Sequence, residues 1–233
     1  MVFYPAHSRS IWNHSSRSPG TYDRCYGHYP CNRRSAEARF LETRGCDAII
    51  AQGLEAGGHR GMFLTDDLST QTGTFALVPQ IADAVTVPVI ASGAIADART
   101  IAAALLLGAS AVQIGTAYLF CSEAKITPSH RAALKDSTHA VTMLTNVLTG
   151  RPARGFANRL VRELGPMSEI APGFPLASVA IAPLQKYAQA RGSDDFSPMW
   201  AGQAAALGRE ASAFELTNQL VEDANELLRR ASQ

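Results

Sequence analysis

An excess of charge of either sign is nearly absent from this sequence: 21 Lys and Arg stand against 20 Asp and Glu, for a formal net charge of +1. That balance gives no electrostatic footprint for nucleic acid or an anionic membrane, and it favours a compact protein with a small-molecule partner. Cysteines are few, at positions 25, 31, 46 and 121, without the CxxC spacing of a zinc site or the density of a disulfide framework. The start of the chain lacks the charged and apolar regions of a secretory signal, which predicts a cytoplasmic, reducing location. Also missing are GxGxxG after a strand, GxxxxGK(S/T), HExxH and GxSxG, the signatures of nicotinamide-Rossmann, P-loop, zincin and serine-hydrolase sites. One uncharged run, residues 101–120, is long enough to span a bilayer. Gly108, Ser110, Gln113, Gly115 and Thr116 interrupt it, so it reads as a buried helix, a glycine stop and a buried strand.

What is present is unevenly spread. Residues 1–34 hold five arginines and one acid, Asp23, a balance of +4 that leaves −3 for residues 35–233. The same stretch has no Leu and one Ala, yet contains four of the six Tyr and three of the six His. From Ser35 onward the pattern turns regular. Ser35 is placed to cap a helix with Glu37 in its first turn, Phe40 and Leu41 on its apolar face, and Gly45 at its C-terminal stop. Residues 47–51 then form a short apolar strand ending at Gln52-Gly53, and a long glycine-rich connection leads to a helix over 77–85. A second strand, 87–91, is followed by the turn Ser92-Gly93-Ala94, an N-cap at Asp97 and a helix to Leu107, stopped by Gly108. A third strand spans 111–115. Strands alternating with helices through short turns predict parallel βαβ units with ligands at the C-terminal strand ends. Beyond Phe120 the spacing predicts helices at 129–135, 157–164, 176–190 and 211–230, separated by Gly/Pro punctuation.

Three loops follow the three strand ends. Ser92-Gly93-Ala94 and Gly115-Thr116 are small enough for backbone N–H groups to approach a phosphate, although tight turns alone also account for their glycines. In the third loop, 52–61, His59 lies among Gly53, Gly57, Gly58 and Gly61. An imidazole there can serve as a general base near neutral pH, while a turn cap or a solvated side chain is the plainer alternative. Glu55 and Arg60 read as solvated, His130 and His139 as surface residues, and Asp66-Asp67 as a loop pair without the further oxygen ligands of a metal site.

Together, residues 47–61 (DAIIAQGLEAGGHRG), 77–96 (LVPQIADAVTVPVIASGAIA) and 109–119 (ASAVQIGTAYL) closely resemble the nitronate monooxygenases, formerly called 2-nitropropane dioxygenases. Residues 150–163 (GRPARGFANRLVRE) and the WAGQ segment at 200–203 are also similar to that family. The resemblance implies a (β/α)8 TIM barrel of the α/β class that binds FMN and oxidises alkyl nitronates with O2 to a carbonyl compound and nitrite, without a metal. It makes His59 the base for a neutral nitroalkane, sets Gln52 and Gly53 beside the flavin ring, and assigns Ser92, Gly93, Ala94, Gly115 and Thr116 to the phosphate loops. The α-proton of a nitroalkane is acidic enough for imidazole to remove, and the resulting nitronate is electron-rich.

The chain departs from the family in two ways. Ala94 and Ala98 stand where the family usually has glycine, and only the last three of the eight barrel strands have counterparts. These departures predict an incomplete barrel with open strand edges that favour association. They divide the chain into an atypical basic leader at 1–34, disordered or encoded out of frame, the C-terminal half of an FMN-binding barrel at 35–125, and a helical region at 126–233. Two alternatives stand beside nitronate oxidation: a flavin-type enoyl-acyl-carrier-protein reductase, and a non-catalytic remnant of a flavoenzyme.

Overall fold

The computed structural model describes residues 3–5, 30–31, 34–136 and 141–233. Five parallel strands form the main sheet: β1 (Phe3–Pro5), β2 (Pro30–Cys31), β3 (Ile49–Gln52), β5 (Val89–Ser92) and β6 (Ala111–Ile114), in the order β1-β6-β5-β3-β2. Between β3 and β5 the chain also forms β4 (Gly58–His59), which belongs to a second sheet. The helices α1 (Arg34–Thr43), α2 (Thr74–Ala82), α3 (Ala98–Leu106) and α7 (Ala213–Ala231) contribute to the main sheet's hydrophobic core.

Alternation along each strand decides what faces those helices. Ile49 and Ala51, Val89 and Ala91, and Val112 and Ile114 are buried with Leu77, Ile81, Ile101, Leu216 and Leu220 in one cluster. The opposite face of the sheet carries the intervening residues, and register aligns Gln52 with Ser92 and Ser92 with Gln113. Three polar side chains thus lie in one row near the C-terminal ends of β3, β5 and β6.

The three βα units stand where the periodicity puts them. Asp97 caps α3 through a capping box with Thr100, and Gly108, at φ +101°, ends it. At α1 the Gly45 and Cys46 N–H groups donate to the Glu42 and Leu41 carbonyls at 2.9 and 3.2 Å, the paired bonds of a Schellman stop with Gly45 at φ +81°. The helix begins at Arg34, so Ser35 lies inside its first turn and not at its cap. The uncharged run at 101–120 divides into α3, a glycine stop, β6 and a short 3-10 helix, Thr116–Phe120. Among the described residues no helix is long and apolar enough to cross a membrane.

Residues 1–34 also contribute strands, which the sequence reading omitted. β1 pairs with β6 and β2 with β3, one at each outer edge of the sheet. Both contain proline, which lacks a ladder donor and is tolerated at sheet edges. The expectation that 1–34 is a disordered or out-of-frame leader otherwise lies outside the described residues.

The helical region contains an unforeseen antiparallel sheet, β4-β8-β7, with β7 at Thr142–Thr145 and β8 at Ala153–Phe156. Around it stand α4 (Pro128–Lys135), α5 (Arg159–Leu164) and α6 (Leu176–Gln189), close to the predicted spans. β8 reads Ala-Arg-Gly-Phe, a composition that resembles punctuation, yet all four residues are buried. Tertiary packing overrides local preference here.

Candidate active site

Loop 52–61 is held by its own side chains. Gln52 Nε2 donates to the His59 carbonyl at 3.1 Å, and Gly61 N–H donates to Gln52 Oε1 at 3.0 Å. Gly53 N–H donates to the Ser92 carbonyl at 2.8 Å, which ties this loop to the next strand end. A Cβ at Gly53 would stand 1.9 Å from Thr74 Oγ1, and the position therefore requires glycine. Thr74 joins three loops: its N–H and hydroxyl donate to the Glu55 carboxylate, and its hydroxyl also lies 3.0 Å from the Gly93 carbonyl. Glu55 is therefore no solvated residue but an acid placed at the N-terminus of α2, where it favours the dipole and starts the helix at Thr74, ahead of the predicted 77.

Arg60 corrects the sequence reading more sharply. The residue is 1% exposed, and its guanidinium donates to the Gly53 and Ala56 carbonyls at 2.7 Å each. Burial, then repulsion from Arg154, lowers its pKa to about 10, against which Glu55 acts. Beside it, Arg154 donates to the Leu54 carbonyl at 3.1 Å. Together these guanidiniums occupy the carbonyls of the loop, so its backbone shape is set from beneath.

His59 sits on β4, opposite Ala153. Its Nε2 is 2.9 Å from Thr149 Oγ1, and its ring meets Trp200 at 5.5 Å and Phe174 at 5.8 Å between centroids. Burial, followed by the nearby Arg151 cation, lowers its pKa below 6.5 and keeps the ring neutral. A neutral imidazole in an aromatic setting is suited to accept a proton.

The other two predicted loops carry backbone features suited to an anion. Gly93 and Ala94 both adopt left-handed φ, +109° and +54°, and Ala94 is the sole non-glycine with positive φ among the described residues. Gly115 is the N-cap of the short 3-10 helix, without a side-chain capping bond. Thr116 Oγ1 accepts the Gly202 N–H at 2.9 Å, and Gln203 N–H donates to the Glu55 carbonyl at 2.9 Å. The WAGQ segment therefore lies across the loops, and a Cβ at Gly57 would stand 2.7 Å from Ala201 and Gly202 backbone atoms.

Sequence reasoning missed Gln113, Thr149, Phe174 and the role of Trp200. Strand register signals Gln113, which occupies the row of Gln52 and Ser92; Thr149 reaches His59 only through the unforeseen hairpin, and Phe174 from the connection between α5 and α6. His130 is buried at 8% exposure, not a surface residue, while His139 lies outside the described residues. Among the described residues no group of three or more His, Cys, Asp or Glu side chains could hold a metal ion.

Parallel strands with helices outside, polar residues at the C-terminal strand ends and a shielded histidine define a partial TIM barrel of the flavoenzyme type. The family model for nitronate monooxygenase matches residues 29–223, and the chain belongs to this family of oxidoreductases. The match starts six residues before the compositional break at Ser35 and includes β2. The chain is 46% identical over 194 residues to a nitronate monooxygenase of Pseudomonas aeruginosa, covering 83% of this chain and 55% of that protein. It thus spans about half the length of the curated relatives it matches. A solved nitroalkane oxidase from Streptomyces ansochromogenes superposes with a TM-score of 0.79 at 39% identity, over 88% of this chain and 58% of that one. FabK from Thermotoga maritima superposes with a TM-score of 0.68 at 28% identity, over 87% and 62%.

Proposed function

We propose that this chain carries the phosphate loops and the proton-accepting histidine of an FMN-dependent oxidation of alkyl nitronates and nitroalkanes, with O2 as oxidant and a carbonyl compound and nitrite as products. The observation that carries the reading is His59, a desolvated histidine between Trp200 and Phe174, on the loop that Gln52 and Arg60 fix in place.

The backbone at the strand ends supports the FMN reading. The left-handed turn at Gly93-Ala94 and the Gly115 N-cap, which has no side-chain capping bond, favour an anion at these strand ends, while Gly53 and Gly57 give their space to Thr74 and the WAGQ segment. Ser92, Gly93, Ala94, Gly115 and Thr116 would hold the phosphate, with Gln52 and Gly53 beside the ring system. FMN, when bound, supplies the acceptor for electrons from the nitronate. His59 removes the α-proton of a neutral nitroalkane, and Trp200 and Phe174 restrict water around the imidazole. A preformed nitronate needs no such base. The reading includes a cytoplasmic location, no nucleic-acid or membrane partner, and association through the open sheet edges.

Visible spectroscopy of the purified chain, before and after addition of FMN, tests the cofactor, and oxygen uptake with a preformed nitronate tests the reaction. Flavin bands and nitrite release are expected. A colourless, FMN-indifferent protein would make the chain a non-catalytic remnant, and turnover of NADH with an enoyl thioester would favour the acyl-carrier-protein reductase.

A further inference from the structure

We infer that Thr149 fixes the tautomer of His59, with the proton on Nε2 and the lone pair on Nδ1, so that Nδ1 is the atom that accepts the substrate proton; the second half of this rests on the proposed base role of His59. Thr149 Oγ1 lies 2.9 Å from His59 Nε2 and 3.1 Å from the Arg151 carbonyl oxygen. A hydroxyl has one proton to give and two lone pairs with which to accept. The carbonyl only accepts, so the hydroxyl proton goes to Arg151, and Nε2–H donates to the hydroxyl oxygen. A neutral imidazole protonated at Nε2 carries its free lone pair at Nδ1.

The two partners belong to one rigid frame. His59 pairs with Ala153 across β4 and β8, and the Arg60 N–H donates to the Pro152 carbonyl at 2.9 Å. The Arg151 guanidinium reaches back to the Arg60 and Met62 carbonyls at 3.3 and 2.9 Å. Residues 151–153 and 59–62 are thus cross-linked immediately beyond the Thr149–His59 contact. Gly150 supplies the left-handed turn, φ +85°, that brings Thr149 and Arg151 around the hydroxyl. Thr149 acts through His59 and is a positioning residue, as the partner that orients a catalytic imidazole is in other enzymes.

Long-range proton–nitrogen NMR spectra of the full chain, labelled at histidine nitrogens, read this tautomer without FMN or substrate, with His59→Asn assigning the signal. Wild type is expected to show the Nε2–H pattern at His59. Thr149→Ser, which keeps the hydroxyl, should retain it, and Thr149→Val, of similar shape without the hydroxyl, should lose it. An Nδ1–H pattern in wild type, or an Nε2–H population unchanged in Thr149→Val, overturns the inference; Thr149→Ala, which also lacks the hydroxyl, decides the point if the Val variant does not fold. Where the chain turns over nitroalkanes, Thr149→Val should lower kcat/KM for the neutral substrate by about ten- to a hundredfold and spare the preformed nitronate. An inactive chain with the expected spectra would sink the functional reading and leave the tautomer standing.

Discussion

Gly202 donates its backbone N–H to the Thr116 hydroxyl oxygen at 2.9 Å, joining the WAGQ segment to the end of β6. Gln203 makes the matching bond to the Glu55 carbonyl on the loop after β3. One short segment near the C-terminus therefore bridges two strand ends distant in sequence, and Gly57 leaves it the space. Thr116→Val removes the acceptor and leaves the Gly202 N–H without it. A loss of about 1 kcal/mol in stability is expected in denaturant unfolding. FMN affinity, read by flavin fluorescence, should fall as well, and Thr116→Ser should restore both. Unchanged stability in the Val variant would show that the bond contributes nothing.

Ala94 occupies a backbone conformation that glycine adopts freely, with φ at +54°. The left-handed region costs a residue with a Cβ about 1–2 kcal/mol, partly offset because glycine loses more entropy on folding. Ala94→Gly is therefore expected to stabilise the chain by up to about 1 kcal/mol and to raise its melting temperature. The resemblance had already placed a glycine here, and the dihedral angle gives the reason. Ala98, the other departure, sits in the first turn of α3, where alanine is a good helix former, and no penalty is expected there.

The βα units were legible because their signals are local: an alternating apolar strand, an acid at a cap, a glycine at a stop. Asp97 and Gly108 bracket α3 as the sequence requires, and Gly53 and Gly93 directly follow the ends of β3 and β5, with His59 on the short β4 beyond β3. What escaped is what only long-range contacts decide. Arg60 reads as a solvated cation, yet it is buried because two carbonyls of its own loop need donors. β8 has no strand-like composition, and it exists because β7, β4 and Trp200 pair with it. Thr149 gains its place beside His59 through that hairpin, so no spacing within the sequence marks it.

Arg60→Met tests the view that this guanidinium supports the loop from below. The substitution keeps apolar volume but leaves the Gly53 and Ala56 carbonyls short of a donor in a buried setting. A cost of about 2–4 kcal/mol is expected in chemical denaturation. Arg60→Lys should recover only part of it, because a single ammonium lacks the fork that reaches two carbonyls. Wild-type stability in Arg60→Met would rule the role out.

Gly150→Ala should be among the most damaging single changes near His59. The position has φ +85°, and an added Cβ would stand 2.3 Å from the Pro172 carbonyl oxygen and 2.5 Å from the Phe174 nitrogen. Left-handed strain of about 1–2 kcal/mol adds to a backbone collision that side-chain motion cannot relieve. Segment 172–174 must move, and with it the Phe174 ring against His59. A lowered melting temperature and a changed His59 NMR signal are expected together; a shift in neither would contradict the contact.

Two histidines, His59 half-buried and His130 buried, set the response of this fold to mild acid. Desolvation lowers the pKa of His59, with Arg151 adding repulsion, and desolvation also lowers that of His130, against the Trp200 backbone and Asp194, which favour the cation. In the unfolded chain both titrate near 6.5, and in the folded chain at lower pH. Between those values the unfolded state binds more protons, so acid favours unfolding; well above 6.5 neither ring is charged in either state and the effect disappears. Glu42, Glu123 and Glu215, held below 4.5 by backbone N–H donors, weaken the fold only at lower pH still. The loss of stability that begins below about pH 6.5 and precedes the carboxylates thus belongs to the histidines. Urea midpoints measured across about pH 8 to 5 should fall with acid, and the slope should be shallower in His59→Asn and in His130→Asn than in wild type. Parallel slopes in all three proteins would mean that neither ring resists protonation in the fold.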